Sequence, residues 1–259
     1  MNILDQLAGH ARERTELAKR ELPCERLQAE VLRLPRGDFA FEKALKKDGL
    51  AFICECKKAS PSKGLIAENF PYLEIARDYE AAGADAVSVL TEPKWFLGSD
   101  RYLSEIAAAV SIPCLRKDFT VDPYMIYQAR VLGASAVLLI CAILSREQLA
   151  DFLACCDDLG LSALVEAHDE AEIETALSVG ARIIGVNNRN LKDFSVDTER
   201  SRRLRSLIPP EVLFVSESGV RDGKDTAVLR EIGADAVLVG EALMRAEDKT
   251  AMLRKLRGI

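Results

Sequence analysis

The sequence predicts an α/β protein with the architecture of a (β/α)8 TIM barrel, preceded by a helical extension at its N-terminus. From residue 51 onward, apolar β-prone runs alternate eight times with segments of helical periodicity. Such alternation is typical of parallel strands joined by right-handed crossovers. The apolar runs are continuous, which indicates strands that are covered on both faces. One motif also recurs roughly every fifty residues, as expected of a barrel built from four similar pairs of βα units.

The recurring motif joins the end of a helix to the start of a strand. In each copy a glycine stops the helix, and a tight turn leads into an apolar strand. The copies begin the second, fourth, sixth and eighth predicted strands, at residues 82–89, 132–139, 179–186 and 232–239. A doubly wound open sheet is the alternative architecture, but it gives no reason for this regularity.

The predicted elements form one domain of residues 1–259, of which residues 1–48 are the helical extension. Ile3, Leu4 and Leu7 give the extension an apolar stripe that is expected to pack on one end of the barrel. The strands are predicted at Phe52–Lys57, Ala86–Thr91, Ile112–Asp118, Ala136–Cys141, Ala163–Glu166, Ile183–Asn187, Leu213–Glu217 and Ala236–Gly240. The helices between them are predicted at Tyr72–Ala82, Leu103–Ala109, Tyr124–Leu132, Glu147–Leu159, Glu170–Val179, Thr198–Leu207 and Thr226–Ile232.

Composition and charge exclude several classes of protein. The formal net charge is -6, and no Lys/Arg cluster is interleaved with aromatic residues, so nucleic acid is not an expected partner. No apolar run is long enough to span a bilayer, and the first residues lack the apolar segment of a secretory signal. We therefore expect a cytoplasmic protein without a membrane partner.

The cysteines indicate reduced core thiols rather than disulfides or metal ligands. There are seven, an odd number, and several lie inside apolar strand-like runs. Cys54 with Cys56, and Cys155 with Cys156, are possible metal ligands, but the chain has only two histidines and no CxxC motif. No metal or other cofactor is expected.

Ionisable and amide side chains end most of the predicted strands. Catalytic groups of such barrels lie at the carboxyl ends of the strands, where this chain places Glu55, Lys57, Lys117, Glu166, Asn187 and Glu217. Glu55 and Lys57 are two residues apart and face the same side of a strand, so a structural ion pair would explain them by themselves. Three glutamates and two lysines at one enclosed mouth instead favour acid–base catalysis.

Glycines after the last two strands predict a site for a phosphate group. Gly219 and Gly240 would let the backbone approach an anion on the two loops that bind phosphate in many such barrels. Ser60, after the first strand, is a further hydroxyl donor, although serine before proline often only forms a turn.

Apolar residues near the same strand ends allow two interpretations. Phe96 and Phe119 follow the second and third strands, and with Leu138 and Leu191 they form either an apolar wall of the pocket or ordinary loop packing. Arg189 contacts either a substrate carboxylate or a neighbouring acid.

Seven short motifs together resemble those of the indole-3-glycerol phosphate synthase family, and the resemblance runs from the N-terminal helices to the final helix. The motifs lie at Glu55–Gly64, Leu90–Glu92, Arg116–Phe119, Leu164–His168, Ile184–Arg189, Ser216–Gly219 and Gly240–Met244. Glu241 departs from the pattern, because family members often carry a small hydroxyl residue there. The resemblance implies phosphate binding by Ser218, Gly219, Gly240 and the backbone of Glu241.

The resemblance also implies a reaction, the cyclisation of 1-(2-carboxyphenylamino)-1-deoxyribulose 5-phosphate to indole-3-glycerol phosphate with loss of CO₂ and water. Lys117 would be the acid for ring closure, and Glu55, Lys57 and Glu166 the candidates for dehydration. Asn187 and Glu217 would hold substrate hydroxyls or orient the lysines. Phe96, Phe119, Leu138 and Leu191 would flank the anthranilate ring, and Arg189 or Lys57 would pair with its carboxylate.

Two rival functions remain. A Schiff-base aldolase would use Lys117 or Lys57 as its nucleophile, and a non-catalytic barrel would serve as an interaction module. The small phosphorylated substrate is the main expected partner, and other tryptophan-pathway enzymes are a second partner class that the resemblance suggests.

Overall fold

Eight parallel strands close into a barrel, so the predicted (β/α)8 architecture is confirmed and the open sheet is wrong. The computed structural model describes residues 3–190 and 194–258. Each strand pairs with the next along the chain, and the first pairs with the last. The strands are β1 (Ala51–Cys56), β2 (Ala86–Leu90), β3 (Cys114–Lys117), β4 (Ala136–Ile140), β5 (Ser162–Ala167), β6 (Ile183–Asn187), β7 (Leu213–Glu217) and β8 (Ala236–Val239).

Helices precede the barrel and alternate with its strands. The N-terminal extension contains α1 (Ile3–Glu21), α2 (Cys24–Val31) and α3 (Ala40–Leu45). The helices that follow are α4 (Tyr72–Ala81), α5 (Asp100–Ala109), α6 (Pro123–Val131), α7 (Arg146–Leu159), α8 (Glu170–Ser178), α9 (Glu199–Arg205), α10 (Gly223–Glu231), α11 (Glu241–Arg245) and α12 (Lys249–Arg257). Pro23 separates α1 from α2, because proline cannot continue a helix from within.

Some elements were not predicted. A small antiparallel hairpin of Ala59–Ser60 with Gly64–Leu65 forms in the loop after β1. The helices α11 and α12 follow the last strand, where the alternation of strand and helix gives no further guide. Strands of two residues are too short to produce a periodic signal.

Successive residues of each strand face two different cores, which explains the continuous hydrophobicity of the strands. In β1, Phe52, Cys54 and Cys56 pack outward against the surrounding helices. Ala51 and Ile53 face the inside of the barrel. Since both faces are covered by protein, the strands are mostly apolar, and their acidic and basic side chains lie near the carboxyl ends.

The N-terminal extension contributes to the inner core. Phe41 and Leu45 of α3 pack against residues at the beginnings of the strands. A hydrogen bond also fixes α3 to β5, because the backbone N–H of Glu42 donates to Oγ of Ser162 at 3.1 Å. Leu7 and Ala11 of α1 belong to the same cluster, and Leu7 also lines the opposite, carboxyl end. The expectation that the extension packs on a barrel end is therefore confirmed for both α1 and α3.

The recurring turns have the predicted geometry. The four motif glycines all have positive φ, with Gly83 at 85° and Gly233 at 73°, a conformation that costs glycine little. In two copies of the motif, an aspartate accepts a hydrogen bond from the backbone of a neighbouring strand. Asp85 accepts the N–H of Phe52 at 2.8 Å, and Asp235 accepts the N–H of Phe214 at 2.7 Å. Each turn thereby fixes the start of a neighbouring strand.

We expect opposite effects from adding one methyl group at two glycines. Gly83→Ala places a side chain at positive φ, although no atom lies within 4 Å of the new Cβ, and should lower the free energy of unfolding by about 1 kcal/mol or more. Gly9 lies inside α1, and no atom lies within 4 Å of a Cβ added there. Gly9→Ala should therefore raise the free energy of unfolding by up to about 1 kcal/mol. Urea midpoints of the two variants measure the difference, and equal shifts would contradict this account.

Candidate active site

The predicted site residues lie together in one cavity of about 870 Å³ at the carboxyl ends of the strands. Every predicted residue that the structure describes lines this cavity, whereas Leu191 lies outside the described residues. The set comprises Glu55, Lys57, Ser60, Phe96, Lys117, Phe119, Leu138, Glu166, Asn187, Arg189, Glu217, Ser218, Gly219, Gly240 and Glu241. Its walls range from aromatic rings to charged groups, as small-molecule sites require.

Two lysines and three glutamates form a charged cluster at the base of the cavity. The Nζ of Lys117 lies 3.5 Å from Oε2 of Glu166 and 3.7 Å from Oε2 of Glu217. Lys57 donates a hydrogen bond to Oε1 of Glu55. The side chains of Glu166 and Glu217 are 1% and 2% exposed, so these charges are largely removed from water and depend on one another.

The environment shifts the pKa values of this cluster apart. Burial alone would lower the pKa of Lys117, but attraction by Glu166, Glu217 and Glu55 outweighs it and raises the pKa. Burial would raise the pKa of Glu166, but Lys117 and His168 lower it below its ordinary value. Burial and the nearby Glu166 and Glu55 raise the pKa of Glu217 to about 8, despite the opposing effect of Lys117. At neutral pH the site therefore holds a lysine cation, a carboxylate and a neutral carboxyl group.

Two glycines make room for the carboxyl groups. A Cβ at Gly185 of β6 would lie 2.2 Å from Oε1 of Glu217, which has no hydrogen-bond partner in the described structure. A Cβ at Gly240 would lie 2.3 Å from Oε1 of Glu55 and 3.0 Å from Nζ of Lys57. Any larger residue at either position would displace an ionisable group of the cluster.

The loops after β7 and β8 border the other side of the cavity. Ser218 and Gly219 have φ values of 67° and 92°, and the Ser218 hydroxyl donates to Oδ1 of Asn187 at 2.9 Å. Glu241 opens α11 and is held by two cations, Lys63 at 3.4 Å and Arg245 at 3.2 Å. The carboxylate that departs from the family pattern is thus balanced by positive charge within the same cavity.

Phe96 and Phe119 face each other across the cavity wall, with ring centroids 6.1 Å apart and planes inclined at 40°. Leu138 is buried beside them in the inner core. Their contact favours the apolar-wall interpretation over unrelated loop packing.

A buried carboxylate whose role the sequence did not predict fixes the loop carrying Phe96. Glu92 is fully buried and accepts three backbone N–H groups, from Lys94 at 3.0 Å, Trp95 at 2.8 Å and Phe96 at 3.1 Å. His10 of α1 lies 3.0 Å from the same carboxylate. A lone glutamate after a strand usually indicates a solvated loop, so only the folded turn reveals this role.

Asp118 fixes the next loop in the same way. It accepts two hydrogen bonds from the Arg14 guanidinium of α1, at 2.7 and 3.2 Å, and one from the Thr91 hydroxyl at 2.6 Å. It also accepts the N–H of Phe119 at 2.8 Å. Both aromatic residues are therefore held from behind by carboxylates that α1 contacts.

Arg189 does not contact a neighbouring carboxylate in any bond that the described structure gives it. Its guanidinium donates to the carbonyl oxygen of Phe194 at 3.3 Å, and its backbone N–H donates to Asn187 at 3.0 Å. Arg189 also lines the cavity, so its predicted contact with a substrate carboxylate stays a prediction.

Comparison with known proteins relates the whole chain to one family. The sequence model described as "Indole-3-glycerol phosphate synthase" matches residues 4–256. A protein of that name from Ruminiclostridium cellulolyticum is 58% identical over 257 residues, which cover 99% of both chains. Another from Endomicrobium trichonymphae is 53% identical, over 98% of this chain and 99% of that protein.

Solved structures of distant sequences share the fold. Thiamine phosphate pyrophosphorylase from Pyrococcus furiosus superposes with a TM-score of 0.61 at 16% identity, over 84% of this chain and 96% of that one. KGPDC from Streptococcus mutans superposes with a TM-score of 0.64 at 10% identity, over 82% of this chain and 97% of that one. At such identities the likeness extends to the fold alone. Among the described helices, none has the length and hydropathy of a membrane span.

Glu217→Gln should change the pH dependence of stability. A carboxyl group whose pKa is raised on folding stabilises the protein below its ordinary pKa, and this contribution is lost as the pH rises through about 8. Glutamine cannot ionise, so between pH 6 and pH 9 the wild type should lose about 1–3 kcal/mol relative to the variant. Denaturant midpoints across this range measure it. Glu174→Gln, on the exposed side of α8, is the control, and parallel curves for wild type and Glu217→Gln would contradict the prediction.

Proposed function

Because the chain belongs to the indole-3-glycerol phosphate synthase family, we propose how its barrel mouth performs the reaction of that family. The protein is a carboxy-lyase of tryptophan biosynthesis, and its substrate is a small phosphorylated molecule. It cyclises 1-(2-carboxyphenylamino)-1-deoxyribulose 5-phosphate to indole-3-glycerol phosphate. The observation that best supports the division of roles proposed below is the Lys117 ammonium held between Glu166 and Glu217 at an enclosed mouth.

Lys117 donates the proton of ring closure. The aromatic carbon that bears the carboxylate attacks the ketone carbon, and the ketone oxygen must be protonated as the new bond forms. A lysine whose pKa is raised by surrounding carboxyls is charged at neutral pH and able to donate. The carboxylate then leaves as CO₂, and the ring recovers its aromaticity without a further catalytic group.

Glu55 and Lys57 carry out the dehydration. Lys57 donates a proton to the departing hydroxyl, and Glu55 removes a proton from the neighbouring ring carbon. Since the two side chains share a hydrogen bond, Glu55 returns its proton to Lys57, and the pair ends the step unchanged. Glu166 is ionised when ring closure begins and then stabilises the Lys117 cation.

The remaining residues bind the substrate. Glu217 is neutral at pH 7 and donates a hydrogen bond to a substrate hydroxyl, with Asn187 beside it. Phe96, Phe119 and Leu138 enclose the anthranilate ring, Leu191 is proposed as a further member of that wall, and Arg189 pairs with the carboxylate. Ser60, Ser218, Gly219 and Gly240 contact the phosphate, to which Lys63 and Arg245 add positive charge.

The aldolase alternative is disfavoured by the charge of Lys117. A Schiff-base nucleophile must be neutral to attack a carbonyl, whereas Glu166, Glu217 and Glu55 raise the pKa of this lysine. The interaction-module alternative gives no reason for ionisable groups 1% to 2% exposed at the base of a cavity.

We further propose that the extension and the barrel act as one domain in the cytoplasm. All seven cysteines are free thiols, which suits a reducing compartment. Association with other enzymes of the pathway is proposed only as a partner class, to be tested by co-purification.

Lys117→Met should abolish most of the turnover while the protein stays folded. The variant keeps the length of the side chain and removes its proton and charge, and a proton transfer of this kind contributes roughly 10²–10⁴-fold to the rate. We expect kcat to fall by that factor and KM to change less, because other loops hold the phosphate. Indole fluorescence measures product formation from the carboxyphenylamino substrate.

Lys57→Met provides the comparison. If Lys117→Met kept near-normal kcat while Lys57→Met lost it, the ring-closure acid would be Lys57. A folded wild-type protein that forms no indole product would overturn the proposed function itself.

Glu241→Ser should tighten substrate binding. The change removes a negative charge beside the phosphate and releases Lys63 and Arg245, so KM should fall by about fivefold, the equivalent of about 1 kcal/mol. The exposed Glu247→Ser is the control for total charge, since Glu247 does not line the cavity. An unchanged KM for Glu241→Ser would show that the carboxylate does not oppose binding, and a higher KM would show that it contributes to binding; either result contradicts the prediction.

A further inference from the structure

His168 connects the active site to a second glutamate outside the cavity. Its Nε2 lies 3.4 Å from Oε1 of Glu166, and its Nδ1 lies 3.1 Å from Oε2 of Glu172 on α8. With Lys117 at 3.5 Å from the other oxygen of Glu166, four ionisable side chains form a continuous row. Neither His168 nor Glu172 lines the cavity that receives the substrate.

The facing atoms of this row are available for proton transfer. Oε1 of Glu166 and Nε2 of His168 are both buried, and neither has a hydrogen-bond partner in the described structure. Buried polar atoms are rarely left unpaired, and a catalytic role is one of the explanations for those that are. Glu172 is fixed at the outer end, because its Oε2 also accepts the backbone N–H of His168 at 2.7 Å.

Exposure increases along the row. The side chain of Glu166 is 1% exposed, that of His168 17% and that of Glu172 21%. The outer end therefore reaches water at a point that does not line the cavity. A substrate in the cavity would lie beside Lys117, which lines it, but not beside Glu172, which does not.

The proposed reaction consumes one proton in each turnover, and such a route would supply that proton to Lys117. Lys117 gives a proton to the ketone oxygen, and the carboxylate departs as neutral CO₂. Dehydration donates one proton to the hydroxyl and removes one from the ring carbon, so it is neutral overall. Lys117 thus ends each turnover as an uncharged amine and must regain one proton from water.

We propose that Glu172, His168 and Glu166 deliver this proton to Lys117, an inference that rests on the proposed function. His168 starts as the neutral tautomer with its proton on Nε2 and takes a second proton on Nδ1 from Glu172, which acquires that proton from water. The imidazolium then gives its Nε2 proton to Oε1 of Glu166. The resulting Nδ1–H tautomer returns to the Nε2–H tautomer by losing one proton to water and gaining another, with no net change in protons. The Glu166 carboxyl group then rotates and passes the proton to Lys117. One proton enters at Glu172 and one reaches Lys117, so the transfer balances.

The charged groups around His168 favour its role as a carrier. Glu166 on β5, Glu172 on α8 and Glu217 on β7 face the imidazole, and they raise its pKa although burial would lower it. Lys117 lies beyond Glu166, and the Cys141 thiol contacts the carbonyl oxygen of Glu172 at 3.6 Å. The His168 imidazole therefore takes up a proton more readily than an ordinary histidine does.

His168→Asn should separate the first turnover from those that follow. Lys117 begins protonated, so a pre-steady-state experiment should give one equivalent of product at a near-normal rate. Steady-state kcat should then fall by at least about tenfold, less than loss of the acid itself would cause, and added imidazole buffer should restore part of it at constant pH. Glu172→Gln should act in the same direction, whereas Glu170→Gln, exposed on the same helix, should match the wild type.

Two outcomes would overturn the proposal. One is a wild-type steady-state rate in His168→Asn. The other is an equal slowing of the first and later turnovers with no response to buffer, which would indicate that His168 only positions Glu166. If His168→Asn does not fold, Glu172→Gln decides by the same criteria. A wild type that makes no indole product would instead contradict the proposed function, independently of these variants.

Discussion

The balance of charge around Lys117 is the constraint on which the rest of the mouth depends. Three carboxyl groups and two ammonium groups, nearly all withdrawn from water, are stable together only if positive and negative charges match. The raised pKa of Glu217 supplies that match, because one glutamate stays neutral while the other two remain paired with lysines. The same arrangement keeps an acid and a carboxylate ready at one pH, so stability of the fold and readiness for catalysis come from one set of contacts.

Buried carboxylates on the aromatic side of the cavity also need partners, and the N-terminal helix α1 provides them. Through His10 and Arg14 it contacts the buried carboxylates of Glu92 and Asp118. Those carboxylates in turn hold the backbone N–H groups of Phe96 and Phe119. The apolar wall is thus positioned by buried polar groups behind it, which are costly to leave unpaired and so define one loop conformation.

Sequence patterns predicted the barrel and the residues at its mouth, because both depend on the order of residues within single strands and helices. Continuous apolar runs reflect two covered faces, and the residues that end parallel strands converge whatever the loops do. The roles of Glu92 and His168 were out of reach, since each depends on partners brought together by the fold, such as His10 across 82 positions. The different pKa values of Glu166 and Glu217 were equally hidden. Two glutamates at two strand ends look alike until their distances to Lys117 and to each other are known.

Gly185 and Gly240 contribute to this site because they have no side chain. Each glycine leaves a space that a carboxyl oxygen occupies, so the identity of one residue is bound to the identity of another on a neighbouring strand. An evolving or redesigned barrel could not exchange either partner alone: a methyl group added first would expel the carboxyl group, and a carboxyl group removed first would leave a void. The two strands must therefore change together when the scaffold is adapted to new chemistry.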